Sequence, residues 1–461
     1  MVNCLLGGFL LISPKFFDVI VVGAGTAGCY ASHILAEKGF KVALLDRKFK
    51  DEIGEKVCGD AIGKHHFDNL GLSYPSGEEL DGVFRGVKVY SPDEEEYVTV
   101  EGEGFAINRK AFGRRLLKMA LDSGVNLYPN THVYAPLLTK NFVSGVKCID
   151  LSTHEKFELS SKVVVDASGF AAAVRSKLPS SWWINEKIDP SDTNICYREI
   201  VEIDGEYDTH YANIYLSKMV APGGYWWIFP KKSKILNVGL GVQPTSNHPN
   251  PKLQFMKHIA CKAEFKSRRI IHSGGGVVPT RRFLLVPVGN GIVAIGDAAS
   301  TCNPIHGGGI GPSLISAKHA SETIISALER NGVASMNSLW SYTRKYLADY
   351  GLKQVSLEIL RIFLQKLSDE DLTFIFKRKL VSGEDINRMG GEGELNLKLV
   401  KKIGQALKLI SRPTLLFKLK VVVDYMERVK ELCSNYPENS AEFPRWRISF
   451  KKLIESFKSK I

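Results

Sequence analysis

Phe16 to Lys48 read FFDVIVVGAGTAGCYASHILAEKGFKVALLDRK, which scans as strand, tight turn, helix and strand. Val19 to Val22 form a continuous apolar run, as a parallel strand buried on both faces requires. The periodicity predicts a helix over Ala27–Lys38 with Gly39 as its C-cap, then a second strand over Val42–Leu45. Between the first strand and the helix, Gly23-Ala24-Gly25-Thr26-Ala27-Gly28 fits G-x-G-x-x-G. Alone that pattern is weak. Here it follows a buried strand, opens a helix, and precedes by eighteen residues an Asp46 at the end of the next strand, which makes it strong. Gly23 permits the tight turn, and Gly25 lets a diphosphate approach the backbone. Gly28 lets the helix pack on the sheet, and the helix N-terminus beginning at Ala27 faces the anion. Asp46 is placed to accept hydrogen bonds from ribose hydroxyls. The competing reading is a glycine-rich βα turn without a ligand.

Outward from this unit, residues 51 to 105 read as irregular and rich in glycine and charge. INRKAFGRRLLKMALDSG (107–124) predicts a helix stopped by Gly124, and KVVVDASG (162–169) another buried strand. From 180 to 275 strands dominate: TNICYREIVEI, HYANIYLS, YWWIFP and ILNVGLGVQ, with turn residues between them. RFLLVPVGNGIVAIGDAAS (282–300) returns to buried strands, and from about 313 the pattern is helical. The fold class is therefore α/β (α+β). A Rossmann-type domain covers 14–180 and 276–330, an antiparallel-sheet substrate domain is inserted at 181–275, and a basic helical C-terminal region covers 331–461.

With 44% hydrophobic and 24% charged residues the composition is that of a soluble globular protein, long enough for two or three domains. The eight cysteines show no CxxC spacing and no cluster with histidine, so no metal site is expected and the thiols read as free, in a cytoplasmic protein. The apolar run in MVNCLLGGFLLIS is shorter than the roughly 20 residues a membrane span needs, and it lacks the basic lead of a signal peptide. It reads as an extra turn before the first strand. The formal charge of +12 is uneven: from Leu395 onward there are fifteen Lys and Arg against six Asp and Glu. Leu397, Val400, Ile403, Leu407 and Ile410 fall at helical spacing, with Lys398, Lys401, Lys402 and Lys408 elsewhere on the wheel. Such a segment suits peripheral contact with a membrane surface, or a helical region packing its apolar face on the Rossmann domain. With few interleaved aromatics and no recognised module, it does not suit nucleic acid.

Two later stretches distinguish among dinucleotides. VVVDASGFAAAVR (163–175) contains Asp166, Gly169 and Arg175. GIVAIGDAASTCNPIHGGGIGPSLISAKHAS (291–321) contains Gly296, Asp297 and a glycine-rich run opening a long helix. With the Gly23–Gly28 corner these resemble the glutathione-reductase-type FAD fold in its p-hydroxybenzoate-hydroxylase branch. The resemblance implies FAD. It places Asp297 at the ribityl or diphosphate part, Arg109 near the ribose or diphosphate, and the N–H groups of Gly308, Gly309 and Ile310 at the flavin pyrimidine. A helix N-terminus there stabilises the negative charge of a reduced flavin. Cys58, Gly59, Ala61 and Val133 complete the implied cofactor set. The other glycine runs, SGGGVV and HGGGIG, do not open βαβ units, so electrons are expected from a transient donor, NAD(P)H or a reduced protein carrier.

APGGYWWIFPK (221–231) places Tyr225, Trp227 and Phe229 at alternate positions, hence on one face of a strand. Pro222-x-x-Tyr225-x-Trp227-x-Phe229-Pro230 matches the P-x-x-Y-x-W-x-F-P motif of the geranylgeranyl reductase family, and KVCGDAIGK (56–64) is similar to its cysteine-containing segment beside the flavin. The resemblance spans roughly residues 17 to 350. The family often has Pro at Thr26 and Glu at Asp46, changes that keep the mechanics. What it implies is a flavoprotein oxidoreductase of isoprenoid and archaeal membrane-lipid biosynthesis. Its activity would be reduction of isolated C=C bonds in geranylgeranyl chains, on a diphosphate or an ether-linked glycerophospholipid. A polyprenyl chain needs an apolar tunnel, and aromatic walls suit alkenes and developing carbocation character. The plainer reading of the three rings is sheet core. An unactivated alkene is a poor hydride acceptor, so protonation is expected to accompany hydride transfer. The acid is Tyr225, Cys58, His306 or a bound water; spacing selects none of them. Cys58 and Cys302 flank the flavin motifs, as a redox pair or as free thiols. Two rivals stand beside this reading. One is a flavin monooxygenase or halogenase on the same fold, whose G-x-W-x-W-x-I-P motif has Trp where Tyr225 stands. The other is a flavin- and lipid-binding protein without turnover.

Overall fold

The structure is a computed structural model that describes residues 15–244, 249–392 and 413–461. The amphipathic pattern over 397–410 and the apolar run at the N-terminus lie outside the described residues. In chain order the elements begin β1 (Lys15–Val22), α1 (Thr26–Glu37), β2 (Val42–Leu45), β3 (Ala61–Gly63), α2 (His65–Leu70), β4 (Leu80–Tyr90), β5 (Tyr97–Ile107) and α3 (Arg109–Asp122). There follow β6 (Asn126–Tyr128), β7 (Thr131–Thr139), β8 (Phe142–Asp150), β9 (Lys156–Asp166), β10 (Thr193–Glu202), β11 (Tyr211–Tyr215), β12 (Trp226–Lys232) and β13 (Ile235–Val242). The chain continues through α4 (Pro251–His258), β14 (Arg269–Pro279), β15 (Val288–Gly289), β16 (Ile292–Ala294) and α5 (Ile310–Asn331). It closes with α6 (Met336–Leu339), α7 (Ser341–Tyr346), α8 (Leu352–Leu364), α9 (Asp369–Lys377), α10 (Gly383–Glu392), α11 (Pro413–Ser434) and α12 (Phe443–Lys458).

The strands form two sheets. The first runs β15-β16-β9-β1-β2-β6, with β8 on β9 and β7 on β8. Its centre is parallel: Val22 lies opposite Leu45 of β2 and Asp166 of β9. Val19, Ile20 and Val21 have no exposed surface: α1, itself backed by α5, packs on β1, and strands flank both edges. At the end of β1 the chain turns into α1 through contacts that exclude a side chain. Gly23 has φ +105°, and a Cβ there would stand 2.5 Å from the Ala167 carbonyl oxygen. A Cβ on Gly28 would stand 1.8 Å from the Gly23 carbonyl oxygen.

The second sheet runs β14-β10-β13-β12-β11-β4-β5-β3. It is antiparallel except where β11 and β4 run parallel. Residues 51 to 105, read from the sequence as irregular, carry β3, β4 and most of β5, so this sheet is not confined to the 181–275 insertion. The reason for the misreading is physical. The burial along β4 is mostly intermediate, without a clean alternation, because one of its faces borders a cavity rather than a core. Much of the C-terminal region is not a separate layer either: Val355, Phe363, Leu419, Val422 and Met426 of α8 and α11 are buried in the same core as β1 and β2.

Candidate active site

Between the two sheets and α8–α10 lies one continuous cavity of about 2010 Å³. A single drug-sized ligand site is typically about 300–1,000 Å³, so this space accepts two ligands side by side. The cavity joins three chemically distinct walls.

The first wall is the βα corner. Gly23, Gly25, Ala27 and Asp46 line it, whereas Gly28 stands behind, in the helix–strand contact. The Asp46 carboxylate accepts from the Ala24 N–H at 2.7 Å and the Lys48 N–H at 2.9 Å, which ties the end of β2 to the glycine turn. Arg109, at the start of α3, reaches across to donate to Thr26 Oγ1 at 3.0 Å. It is 8% exposed, and its Nε and Nη1 have no acceptor among the described residues. A buried guanidinium with two idle donors beside a glycine turn and a helix N-terminus is a cradle for a diphosphate. Asp297 ion-pairs with Lys56 at 3.0 Å, and that pairing holds the Lys56 pKa above its usual value. The Asp297 carboxylate also stands 3.4 Å from where a Cβ on Gly309 would be. Gly309 and Ile310 open α5 with no side-chain cap, leaving first-turn N–H groups free to face an anionic ring edge. Cys58, Gly59, Ala61 and Val133 line the same space. These residues fit FAD: a diphosphate cradle at one end, a ribose-side carboxylate, and a helix N-terminus where the flavin pyrimidine would lie. Asp166 and Arg175 instead brace the protein. The Asp166 carboxylate accepts from Ser168, Val174 and Arg175 N–H groups, while Arg175 Nη1 donates to the Glu186 carbonyl oxygen at 2.9 Å.

The second wall is aromatic. Tyr225, Trp227 and Phe229 line the cavity together, their ring centroids 5.9 Å apart in sequence. Trp226 and Ile228 point the other way into a separate core, where Trp226 stacks on Tyr215 at 3.8 Å. The aromatic face needs a flat floor beside it: a Cβ on Gly239 of β13 would stand 2.5 Å from Trp227 Cζ2. A hydrogen-bonded network then ties this wall to Cys58. Trp227 Nε1 donates to Asn237 Oδ1 at 3.0 Å, and Asn237 Nδ2 donates to the Cys58 carbonyl oxygen at 2.8 Å and to Asp60 Oδ2 at 3.0 Å. Asp60, at φ 63°, is held there by Lys231, which also pairs with Asp81 at 2.6 Å.

The three acid candidates meet in this region but differ in state. Tyr225 Oη donates to the His306 carbonyl oxygen at 2.6 Å, and burial pushes the phenol pKa up. The His306 ring faces the cavity, accepts from the Gly308 N–H at 3.1 Å, and is pushed down to about 4 by desolvation, so it is neutral at pH 7. The Cys58 thiol lines the cavity, half-buried, with no hydrogen bond among the described residues. Cys58, Cys196 and Cys302 all lie within electrostatic reach of the Tyr225 phenol, and all three are free thiols. Cys302 is fully buried, and desolvation holds its pKa well above the ordinary value.

The third wall was not legible in the sequence. Leu357, Leu360 and Leu364 of α8 line the cavity at helical spacing, with Leu372 and Phe376 of α9 and Met389 of α10 beyond them. Opposite stand Val87, Val89, Val100 and Ile214 of the second sheet. At the other end of α8, Lys353 lines the cavity with His65, His66 and His306 close enough that their charges influence one another. Desolvation lowers the Lys353 pKa. The helical spacing of these leucines is visible in the chain, but nothing in it separates a cavity-lining leucine from a core one.

Family models match two segments of the chain. Residues 192–278 match the family model for the geranylgeranyl reductase catalytic domain, and residues 18–176 match that for glucose inhibited division protein A. The chain is 39% identical over 96% of its length to the digeranylgeranylglycerophospholipid reductase of Sulfolobus acidocaldarius, covering 98% of that protein. It is 30% identical over 84% of its length to digeranylgeranylglycerophospholipid reductase 2 of Methanopyrus kandleri, covering 96% of that protein. Among solved structures, a geranylgeranyl bacteriochlorophyll reductase-like protein of Thermoplasma acidophilum superposes with a TM-score of 0.74 at 22% identity, over 90% of this chain and 99% of the other. The myxobacterial chondrochloren halogenase, FAD-dependent, superposes with a TM-score of 0.62 at 17% identity, over 86% of this chain and 97% of the other. These two likenesses are of fold.

Proposed function

The chain belongs to the digeranylgeranylglycerophospholipid reductase family, and we propose that it is an FAD-dependent reductase of the isolated C=C bonds in geranylgeranyl chains, acting in ether-lipid synthesis. The observation that supports this most is the continuity of the cavity from the Arg109–Asp297 cradle, past Tyr225, Trp227 and Phe229, to the leucines of α8. Reduced FAD supplies two electrons and one hydrogen to the alkene; the protein must hold the chain in place and provide the proton.

The apolar wall of α8 and the second sheet binds the polyprenyl chain without hydrogen bonds, so the chain can shift by one isoprene unit between reductions. Trp227 and Phe229 offer π faces to positive charge developing on the alkene carbon. The proton donor we favour is the Cys58 thiol, directly or through a bound water, because it lines the cavity with no hydrogen bond among the described residues. His306 is neutral, and the Tyr225 hydroxyl, itself a weak acid here, is engaged as donor to a carbonyl oxygen. The Cys58 thiol remains, and the Asn237 bond to its carbonyl oxygen fixes its backbone. Lys353, beside the neutral His306 ring, lines an end of the cavity that suits the phosphate of the substrate head. The chain carries one glycine-rich βα corner, so the electrons arrive from a visiting donor, a nicotinamide nucleotide or a reduced protein carrier. Among the described residues no helix is long and apolar enough to cross a membrane.

Anaerobic, dithionite-reduced holoenzyme mixed with geranylgeranyl diphosphate tests the reaction by mass spectrometry. Products heavier by one hydrogen molecule per reduced bond are expected. Bound lipid of unchanged mass beside a reduced flavin would reject the assignment. Oxygen consumption coupled to halide incorporation would transfer the protein to the halogenases.

A further inference from the structure

Helix α4 presents two faces of opposite character. Gln254, Phe255, Ile259 and Ala260, on or just after it, are buried. Its outer face consists of Lys252, Leu253, Met256 and Lys257, all exposed. Leu253 is 67% exposed and Met256 48%. Met219, also 67% exposed, belongs to the same tip, because Gln254 Nε2 donates to the Met219 carbonyl oxygen at 2.9 Å and to that of Val220 at 3.0 Å. Three large apolar side chains are thus exposed on two segments that Gln254 ties together. The α4 side of the tip is basic: Asn250 to Lys262 contains Lys252, Lys257, His258 and Lys262 and no acidic residue. Of these lysines, among the described residues, Lys262 alone pairs with a carboxylate, that of Glu94, at 2.7 Å, while on the other side the Met219 N–H donates to Asp369 Oδ2 at 3.4 Å.

This tip adjoins the cavity. Leu216, Ser217 and Lys218 line it, so the cavity wall passes into the exposed tip from one residue to the next. The junction is fixed. The Lys218 N–H donates to Asp369 Oδ1 at 2.8 Å, and Lys218 Nζ donates to the Gln365 carbonyl oxygen at 2.9 Å, which anchors the segment to the end of α8.

We propose that the Met219–Leu253–Met256 tip, with Lys252 and Lys257, is the surface by which this protein docks on an anionic lipid bilayer, next to the rim through which lipid chains enter the cavity. The inference rests on the lipid-reductase reading above. Apolar tips reach the acyl boundary while flanking lysines reach lipid phosphates, the chemistry of an interfacial anchor. A second copy of the same face would bring Lys252 and Lys257 against like charges, which disfavours a dimer through it.

The test uses the full-length holoenzyme and flotation with phosphatidylcholine vesicles, with and without phosphatidylglycerol. The parent should float with the anionic vesicles and lose binding as salt is raised. M219S/L253S/M256S should reduce that binding by at least about tenfold. It should keep its flavin content and its turnover on detergent-dispersed geranylgeranyl diphosphate. The charge variant K252E/K257E lies wholly on the surface and should lose binding to the anionic vesicles with an unchanged melting temperature, so the proposal remains testable should the serine variant unfold. Parent-like flotation of either folded variant overturns the proposal, as does a parent that does not float. A dimer dissolved by the serine substitutions while vesicle binding persists would overturn it in favour of a second copy. Failure of the reaction itself would appear separately, as absence of mass gain on the soluble diphosphate.

Discussion

The βα corner and the aromatic wall face each other across one cavity and are built in different ways. At the corner the decisive contacts involve the backbone of one strand–helix–strand unit: Gly23 against Gly28, and the Ala24 N–H on the Asp46 carboxylate. At the wall they are made by side chains: Trp227 on Asn237 of the next strand, then across to a distant segment, Asn237 on the Cys58 carbonyl oxygen and Asp60, and Lys231 on Asp60 and Asp81. A backbone contact leaves no room for substitution, whereas a side-chain network can lose a member and keep its shape. The corner should therefore fail as a unit, and the wall should fail by function before it fails by folding.

The sharpest test of that difference is Gly28→Val. With a Cβ 1.8 Å from the Gly23 carbonyl oxygen, α1 cannot approach β1, and the protein should be recovered without flavin or not at all. Full flavin absorbance in the purified variant would show that the corner yields. Next in size is Cys58→Ser. If the thiol holds the proton, turnover should fall by roughly a hundredfold, the scale of a lost general acid, while flavin content stays at parent level. A smaller but more discriminating pair is Trp226→Ala and Trp227→Ala. Trp226, 1% exposed and stacked on Tyr215, should cost about 3–5 kcal/mol of stability in a denaturant titration and leave kcat little changed once folded. Trp227→Ala should lower kcat by about tenfold with flavin retained. Loss of FAD in that variant would make Trp227 part of the corner instead.

The smallest expected effect concerns pH. Burial against Gly311 pushes the His66 pKa from 6.5 down to about 3. Between those values the unfolded chain binds a proton that the folded chain refuses, so stability rises with pH across that window and is lost progressively as pH falls below about 6.5. A melting-temperature profile should be less steep on the acid side for His66→Asn than for the parent. An identical slope would place the proton uptake elsewhere, with His65 and His306 the neighbours to examine.

How much of this was legible in the chain depended on how local the signal was. The G-x-G-x-x-G turn, its flanking apolar run and Asp46 lie within one strand–helix–strand unit, and spacing alone described them. The aromatic alternation announced a shared face, since residues two apart on a strand point the same way. What lay on that face was not in the spacing. Sheet strands β3 to β5 were missed because a strand bordering a cavity has no clean alternation of burial, and the amphipathic segment around 397–410 lies outside the described residues.

The chain by itself determined the dinucleotide corner with its phosphate-facing helix start after Gly25 and the pairing of Trp227 with Tyr225 and Phe229 on one side, because each follows from backbone period and steric size within a few residues. Only the tertiary structure decided that the face opens on a cavity, that Leu357, Leu360 and Leu364 close it, that the Tyr225 hydroxyl is engaged by a carbonyl oxygen and that His306 is neutral. Those outcomes depend on which surfaces meet across more than a hundred residues of chain, and on the desolvation that meeting imposes.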